Sequence, residues 1–215
     1  MLNSKSILIA DDHEVVRSGL RAILESHEGW EVVAEAANGK EAIALAVEKS
    51  PNVAIVDYSL PLINGVEVTR NIKIRHVDTE VLIFTMHDSD ALVREAFQAG
   101  ARAFLLKSDA KQHLMAAVES LLNHRPFFTG NISEKMLASY LSLNDGPSVV
   151  LSPREKNVIQ LISEGHSNKG MSRVLNLSVK TIETHRMHLM ARLDLHDVAG
   201  VVRYALRTGL ISAER

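Results

Sequence analysis

The sequence predicts two domains of different fold class, an open α/β domain and, after a linker, a small all-helical domain. Over residues 1–123, apolar runs of strand length alternate with amphipathic segments of helical period. From Leu151 onward only helical periodicity remains. The charge changes at the same place, since residues 1–123 carry 12 Lys+Arg against 18 Asp+Glu and residues 151–215 carry 10 against 6. A basic helical domain joined to an acidic α/β domain suggests that the second half faces a polyanion.

Five strands are predicted for the first domain. The apolar runs are SILIA (6–10), EVVAEA (31–36), VAIVD (53–57), EVLIFT (80–85) and AFLLK (103–107). Amphipathic helices are predicted between them, at 14–26, 40–49 and 91–100. Because alternating strands and helices form parallel sheets with right-handed crossovers, we expect a flavodoxin-like, five-stranded parallel sheet. Its expected strand order is 2-1-3-4-5, with helices on both faces.

Turn and capping residues predict the domain boundaries. The α/β domain spans residues 1–123, and a linker spans 124–147, where HRPFFTG breaks the helical pattern and NDGPS is typical of a turn. Between these two stretches, NISEKMLASYLSL could form a short helix. Four short helices are predicted in the domain at 148–215, the first of them capped by Ser152 and started by Pro153.

The composition indicates a globular protein that works in the cytoplasm. With 46% hydrophobic and 23% charged residues, the chain can bury a core. The absence of cysteine excludes disulfides and thiolate metal sites and fits a reducing compartment. No apolar run approaches the roughly 20 residues of a membrane span, and the start MLNSKSILIA is too short for a signal peptide, so no membrane association is expected.

Polar side chains end four of the five predicted strands. Asp11 and Asp12 follow the first strand, while Asp57, Thr85 and Lys107 end the third, fourth and fifth. Ligands of open α/β sheets bind at the carboxyl ends of the strands, and these strands are neighbours in the expected order. Three converging carboxylates need a cation to neutralise them, and oxygen ligands without His or Cys favour Mg²⁺. A carboxylate nucleophile beside a metal ion and a lysine suits phosphoryl transfer, and Asp57 on the central strand is the candidate phosphoacceptor.

Residues 5–123 resemble the receiver domain of two-component response regulators, through the motifs LIADDH, AIVDYSLPLINGVEV, IFTM and AFLLK and the pattern DxxxPxxxG at Asp57, Pro61 and Gly65. The resemblance implies that a sensor histidine kinase phosphorylates Asp57. It also implies a Mg²⁺ site formed by Asp11, Asp12, Asp57 and the Ser59 backbone carbonyl. Thr85 and Lys107 are implied to bind the phosphoryl group, and Thr85 and Phe104 to form the switch. Ser108 departs from the family, because many receivers have a cis proline after the lysine, so the loop geometry there stays open.

A helix-turn-helix is predicted within the second domain. One helix is capped by Ser167, and Ser178 caps the next, VKTIETHRMHLMARL (179–193). On this helix Ile182, Leu189 and Leu193 are placed to face the core, which leaves the opposite face for DNA. The residues available on that face are Lys180, Thr181, Glu183, Thr184, His185, Arg186 and Met187.

The stretch from Leu151 to Leu195 resembles the LuxR-type helix-turn-helix of the NarL/FixJ response regulators. The resemblance implies base contacts by Glu183, Thr184 and Met187, and phosphate contacts by Lys180, Thr181, His185 and Arg186. Gly170 and Ser172 depart from the family's usual SNKEIA, and a glycine inside a helix costs about 1 kcal/mol. Base-facing Glu183 and Met187, in place of basic residues, predict low affinity per protomer and therefore a homodimer on paired half-sites.

The predicted function is a phosphorylation-activated transcriptional regulator that binds double-stranded promoter DNA and works with RNA polymerase. It is not expected to be an enzyme beyond phosphoryl transfer to its own Asp57 and hydrolysis of the product. A haloacid-dehalogenase-type phosphotransferase is the enzymatic alternative, but it would need a second Asp two residues after the nucleophile, where Ser59 stands. The binding alternative is a receiver joined to an RNA-binding antiterminator domain, which a comparison of duplex DNA with RNA would test.

Overall fold

The computed structural model describes residues 4–75, 78–130, 132–133, 151–193, 195 and 197–211. The chain divides into two compact units, the first taking in most of residues 1–145 and the second the residues from 146 onward. The short helix predicted within the linker, at 131–143, lies almost wholly outside the described residues.

A parallel sheet of six strands forms the centre of the first unit, in the order β2-β1-β3-β4-β5-β6. The strands are β1 (Lys5–Ala10), β2 (Trp30–Ala36), β3 (Val53–Asp57), β4 (Glu80–Thr85), β5 (Ala103–Leu106) and β6 (Phe127–Phe128). The predicted class and the predicted order of the first five strands are confirmed. The sequence did not predict β6, because two residues carry no strand periodicity and HRPFFTG indicated only a break in the helix.

Five helices follow the first five strands. They are α1 (Glu14–Glu25), α2 (Gly39–Lys49), α3 (Gly65–Ile74), α4 (Asp90–Gln98) and α5 (Ala110–Leu122). Three of them begin where a side chain accepts a hydrogen bond from the first turn: Asn38 before α2, Asn64 before α3 and Ser89 before α4. Each cap fixes the residue at which its helix begins. The loops between the strand ends and these helices therefore have defined lengths.

The sheet is buried on both faces, as parallel sheets usually are. On one face, Ile9, Ile55 and Leu105 pack in a single cluster with Leu24 of α1 and Leu114 of α5. Every residue of β3 and β4 is buried. Full burial of each Ile or Leu side chain contributes about 1.5–3 kcal/mol, so this core holds the carboxyl ends of the strands rigidly in register.

The fifth strand ends one residue earlier than predicted. Lys107 begins a single turn of 3-10 helix, Lys107–Asp109, instead of ending β5. The described residues contain no cis peptide bond, so the bond between Lys107 and Ser108 is trans. A short turn therefore takes the place of the proline-containing loop that is common in related sequences.

Four helices make up the described part of the second unit, as predicted. They are α6 (Pro153–Ser163), α7 (Asn168–Leu175), α8 (Val179–Arg192) and α9 (Val198–Arg207). Helices α8 and α9 both pack on α6, and α7 packs on α8. Asn176 adopts the left-handed conformation, with φ of 54°, and ends α7. This tight turn makes the pair α7 and α8 a helix-turn-helix.

In the described part of the chain, no helix has the length and apolar character needed to cross a membrane.

Candidate functional site

At the carboxyl edge of the sheet, two buried carboxylates share one lysine. Asp57 ends β3 and Asp11 directly follows β1, and the two strands are hydrogen-bonded neighbours. Lys107 Nζ lies 2.6 Å from Asp11 Oδ2 and 3.1 Å from Asp57 Oδ2. Asp11 is 1% exposed and Asp57 4%. The structure therefore brings together three residues that are far apart in sequence, because β1, β3 and β5 all end at the same edge of the parallel sheet.

Asp12 lies beside this pair, next to a histidine that the sequence analysis did not single out. His13 Nδ1 lies 2.9 Å from Asp12 Oδ1 and 3.3 Å from Asp11 Oδ1. One ligand atom from each of Asp11, Asp12 and His13 falls within 4.8 Å of the others, an arrangement that could hold a metal ion. In the sequence, this role of His13 was indicated only by its position directly after the two acids in the motif LIADDH.

The pocket leaves the charge of Asp57 poorly compensated. Burial raises the pKa of this carboxyl to about 6, and the neighbouring Asp11 adds to the rise, whereas Lys107 and a hydrogen bond from the Ser59 backbone oppose it. Burial would lower the pKa of Lys107, but the two carboxylates outweigh it and raise that pKa. The positive charge of Lys107 alone is therefore too small to compensate the carboxylates around it.

The donor set fits a hard divalent cation. Asp11, Asp12 and Asp57 supply carboxylate oxygens, and the raised pKa of Asp57 shows that added positive charge would stabilise its ionised form. Oxygen ligands of this kind suit Mg²⁺, which needs only one or two carboxylates in addition to a phosphate oxygen and water. Ser59, whose carbonyl the family resemblance adds to the set, is buried and lies two residues after Asp57 in the chain.

Gly65 has a steric reason to be glycine. A Cβ atom at this position would lie 2.2 Å from the Asp57 carbonyl oxygen and 2.9 Å from its carbonyl carbon. The Gly65 N–H donates to the Tyr58 carbonyl at 2.9 Å, which draws the start of α3 against the end of β3. The glycine of the pattern DxxxPxxxG therefore permits a close backbone approach behind Asp57.

The two predicted switch residues are both fully buried, at 0% exposure. The Thr85 hydroxyl accepts a hydrogen bond from the His87 N–H at 3.2 Å, within the loop that follows β4. Phe104 lies on β5 opposite Ile83 of β4. His87 was not predicted; burial, and secondarily the charge of Lys107, lower its pKa. In this state the hydroxyl of Thr85 is held by its own loop.

An arginine on α1 stabilises the backbone of the pocket at Asp11. Arg17 Nη1 donates to the Asp11 carbonyl at 2.8 Å, and its Nε lies 3.2 Å from Glu35 Oε2. Glu35 is held in turn by Arg21, at 2.6 Å. The sequence did not point to these residues, because charged side chains on an amphipathic helix are typical of a solvated face.

In the second unit, α8 presents a polar face and buries its apolar one. Ile182 and Leu189 are 0% exposed, as predicted for the core face, and Leu193 is half-buried. The predicted DNA-facing residues divide into four exposed ones, Lys180, Glu183, Thr184 and Met187, and three half-buried ones, Thr181, His185 and Arg186.

Two hydroxyls on α8 already have partners within the helix. Thr181 Oγ1 lies 2.7 Å from the hydroxyl of the capping Ser178, and Thr184 Oγ1 donates to the Lys180 carbonyl at 3.0 Å. Thr181 is therefore part of the helix start, while Thr184, which is more exposed, can exchange its backbone partner for another acceptor.

The scaffold around α8 is held by polar contacts at both ends. Glu155 forms a capping box with Ser152 at the start of α6 and an ion pair with Arg192 at the end of α8, at 3.0 Å. Ser172 Oγ donates to the Leu177 carbonyl at 2.5 Å across the turn between α7 and α8. The departure at Ser172 thus contributes a hydrogen bond to the turn, which alanine could not make.

Comparison with known proteins assigns both units. The family model for the response regulator receiver domain matches residues 7–119, and that for bacterial regulatory proteins of the luxR family matches residues 149–205. A receiver domain joined to a LuxR-type DNA-binding domain defines a two-component response regulator that acts on DNA. The chain belongs to the NarL/FixJ family of these regulators, as the resemblance implied.

Several relatives match over the whole chain. The response regulator UvrY of Escherichia coli (strain K12) is 33% identical over 211 residues, covering 97% of each chain. The oxygen regulatory protein NreC of Staphylococcus haemolyticus is 35% identical over 214 residues, covering 95% of this chain and 98% of its own.

Solved structures agree with this assignment. A LuxR-family two-component response regulator from Aurantimonas sp. SI85-9A1 has a TM-score of 0.61 and 36% identity, covering 64% of this chain and 99% of its own. RcsB of Salmonella enterica serovar Typhimurium, solved bound to the promoter rprA with the phosphomimetic BeF3-, has a TM-score of 0.66 and 26% identity. That similarity covers 94% of this chain and 98% of RcsB.

Proposed function

We propose that this regulator is switched by phosphorylation of Asp57. The observation that carries the proposal is the buried carboxylate pair of Asp11 and Asp57 on a single Lys107 Nζ, at 2.6 and 3.1 Å. A carboxylate next to a fixed cation has both the nucleophile and the charge stabilisation that phosphoryl transfer needs. With a pKa raised to about 6, Asp57 is mostly ionised above neutral pH and is available for attack.

The chemistry is a transfer from a phosphohistidine of a sensor kinase. An Asp57 carboxylate oxygen forms the new bond to phosphorus while the phosphorus–nitrogen bond to the kinase histidine breaks, so that an aspartyl phosphate forms. Lys107 stabilises the charge on the transferred group. Asp11, Asp12, Asp57 and the Ser59 carbonyl would hold Mg²⁺, which when bound supplies positive charge next to the phosphoryl oxygens. Hydrolysis of the acyl phosphate resets the switch.

The output is binding of α8 to double-stranded promoter DNA. Glu183, Thr184 and Met187 are exposed on one side of the helix, where we propose that they contact bases. Lys180, Thr181, His185 and Arg186 are proposed to contact phosphates, which set the register of the protein on the duplex. RcsB, a relative at 26% identity, has been solved on promoter DNA, which supports duplex DNA over RNA as the target.

The coupling between the two events runs through Thr85 and Phe104. If the Thr85 hydroxyl leaves the His87 N–H for the phosphoryl group, the loop after β4 moves and α4 repacks. The residues after α5 lie close to this region, because Phe128 of β6 pairs with Phe104 of β5 and stacks edge-on against Phe97 of α4, with ring centroids 4.9 Å apart. Repacking of α4 would therefore reach the start of the linker.

Two consequences of this coupling would raise promoter occupancy. Phosphorylation would either expose a homodimer surface or release the DNA-binding domain, and the bound dimer would act on RNA polymerase in the cytoplasm. Moving a two-state switch from 1:99 to 99:1 takes about 5.5 kcal/mol, which several charge-assisted hydrogen bonds around one phosphoryl group are strong enough to supply.

The decisive test is labelling by a small phosphodonor. Asp57→Asn should keep the fold and lose hydroxylamine-sensitive labelling by acetyl phosphate in Mg²⁺, since an amide cannot attack phosphorus. Asp78→Asn, which removes an exposed carboxylate just before β4, is the matched control and should be labelled like the unmodified chain. Full labelling of Asp57→Asn would assign the phosphoacceptor to another residue.

A further inference from the structure

A side chain of α7 lies between two charged side chains of α8. Asn168 Nδ2 donates to Glu183 Oε1 at 3.4 Å, and Asn168 Oδ1 accepts from Arg186 Nη1 at 3.1 Å. The orientation of the amide is decided by its partners, because a carboxylate only accepts hydrogen bonds and a guanidinium only donates them. One amide therefore holds an acid and a base at the same time.

The spacing of the two charged residues makes this bridge informative. Glu183 and Arg186 are three residues apart on α8, a spacing at which opposite charges on a helix attract each other. Within the described part of the second unit, both side chains turn to Asn168 instead of forming an ion pair with each other. The amide thus takes the place of a direct pair that would neutralise both charges.

We propose that Asn168 is a positioning residue for DNA reading, which keeps Arg186 away from Glu183 so that each can engage the duplex. The inference rests on the proposed roles of Glu183 at the bases and Arg186 at the phosphates. Asn168 itself need not touch DNA. Its contribution is to hold the acid toward the base edges and to leave the guanidinium charge free for the backbone.

Asparagine suits this position because it offers a donor and an acceptor on one short, uncharged side chain. Alanine offers neither and would let Arg186 pair directly with Glu183. Aspartate offers acceptors only, so it would hold Arg186 and repel Glu183. In both variants a carboxylate captures the guanidinium of Arg186, but only in the alanine variant does this capture depend on Glu183.

The experiment uses the full-length chain with acetyl phosphate and Mg²⁺, a randomised duplex library for base preference, and titrations at several salt concentrations. Asn168→Ala should relax the preference at the base position that Glu183 reads. It should also lower the salt slope of log affinity by about 0.9 per protomer, the value of one lost phosphate contact. Asn168→Asp should likewise change base preference and lower the salt slope, because its carboxylate pairs with Arg186, and this effect on the slope should persist in the Glu183→Gln background.

A double variant distinguishes the capture of Arg186 by Glu183 from a general loss of stability. In Glu183→Gln no carboxylate remains to capture Arg186, so adding Asn168→Ala to it should leave the salt slope of Glu183→Gln unchanged. Ser152→Ala is the matched control for lost stability, since it removes the cap of α6 and touches neither charged residue. It should lower the thermal stability of the unit but keep both base preference and salt slope.

The outcomes distinguish this inference from the proposed function. If folded Asn168→Ala and Asn168→Asp both keep the base preference and salt slope of the unmodified chain, the positioning role is overturned. The same holds if Asn168→Ala lowers the slope equally in the Glu183→Gln background. If the phosphorylated, unmodified chain selects no duplex sequence at all, the proposed function fails instead.

Discussion

The pocket at the end of the sheet and the face of α8 proposed to read DNA differ in how far their side chains are exposed. Asp11 and Asp57 are buried where β1 and β3 end together, and Lys107, which is 13% exposed, contacts both carboxylates. Glu183 and Met187 are exposed on one helix, and Met187 is 62% exposed. Substitutions at buried charges change stability by several kcal/mol in either direction, whereas exposed pairs are worth about 1 kcal/mol or less. Changes in the pocket should therefore alter the stability of the first unit, while changes on the exposed face of α8 should leave the fold intact.

The steric contact behind Asp57 should give the largest effect. Gly65→Ala places a Cβ atom 2.2 Å from a backbone oxygen that cannot move without shifting the end of β3. We expect a loss of about 3 kcal/mol in the free energy of unfolding of the first unit, together with reduced labelling of Asp57. Trp30, the single tryptophan, lies in β2 and makes fluorescence a probe of that unit. Gly19→Ala, where the structure shows open space on α1, is the control and should not destabilise.

The buried charge of Asp57 should itself destabilise the unit in the absence of metal. Its pKa rises from 3.8 to about 6 on folding, so the folded state binds a proton more tightly than the unfolded state. Stability is therefore lost as the pH rises from about 4 to 6 and stays lower above that range. Asp57→Asn should be more stable than the unmodified chain by about 3 kcal/mol at pH 8 in EDTA, from 1.36 kcal/mol per pKa unit.

The same comparison at low pH provides the check on this assignment. Below about pH 4, Asp57 is protonated in both the folded and unfolded states, so the advantage of Asp57→Asn should vanish. Denaturant titrations followed by Trp30 fluorescence at pH 8 and pH 3.5 would measure both values. An Asp57→Asn protein no more stable than the unmodified chain at pH 8 would show that Lys107 fully compensates the charge.

In the second unit, the loss of a single hydrogen bond should give a smaller effect. Ser172→Ala removes the bond from its hydroxyl to the Leu177 carbonyl in the turn before α8, which should cost about 1 kcal/mol. Calorimetry of the full chain should show a lower melting temperature for the second unit. The transition of the first unit, followed by Trp30 fluorescence, should not move. An unchanged second transition would mean that water replaces the hydroxyl at no cost.

The smallest expected effect is a stabilisation of α7. Gly170→Ala should stabilise α7 by up to about 1 kcal/mol, because alanine has the better helix propensity. Its Cβ would lie 3.3 Å from Nδ1 of the His166 ring, which is partly exposed and can rotate aside. A fall in the melting temperature of the second unit would indicate that His166 cannot yield.

The features that could be predicted from the sequence are those marked by periodic burial or by the ends of strands. The order of five strands follows from apolar runs that alternate with helices, the positions of Asp11 and Asp57 follow from the ends of those runs, and the burial of Ile182 and Leu189 follows from the helical period of 3.6 residues. Those patterns also placed Ser167 and Ser178 at helix starts, because side-chain capping is decided within four residues of chain.

Other features had no local signal. The bridge at Asn168 depends on the crossing of α7 and α8, and the support of Asp11 by Arg17 depends on how α1 packs against the sheet. Neither residue stands out in a single helix, where an exposed polar side chain is the ordinary case. The pairing of β6 with β5 was likewise decided by the edge that the sheet leaves open, since two residues cannot specify a strand alone.

The sequence by itself determined the two fold classes, the strand ends next to which the acids lie, and the helix-turn-helix of the second unit. Periodic burial decides these features, and it is a property of residues close together in the chain. Only the tertiary structure decided that Lys107 is shared by Asp11 and Asp57, that the pKa of Asp57 rises to about 6, and why residue 65 must lack a side chain. The first two outcomes depend on distances and burial between segments more than forty residues apart, and the third depends on how α3 packs against the end of β3.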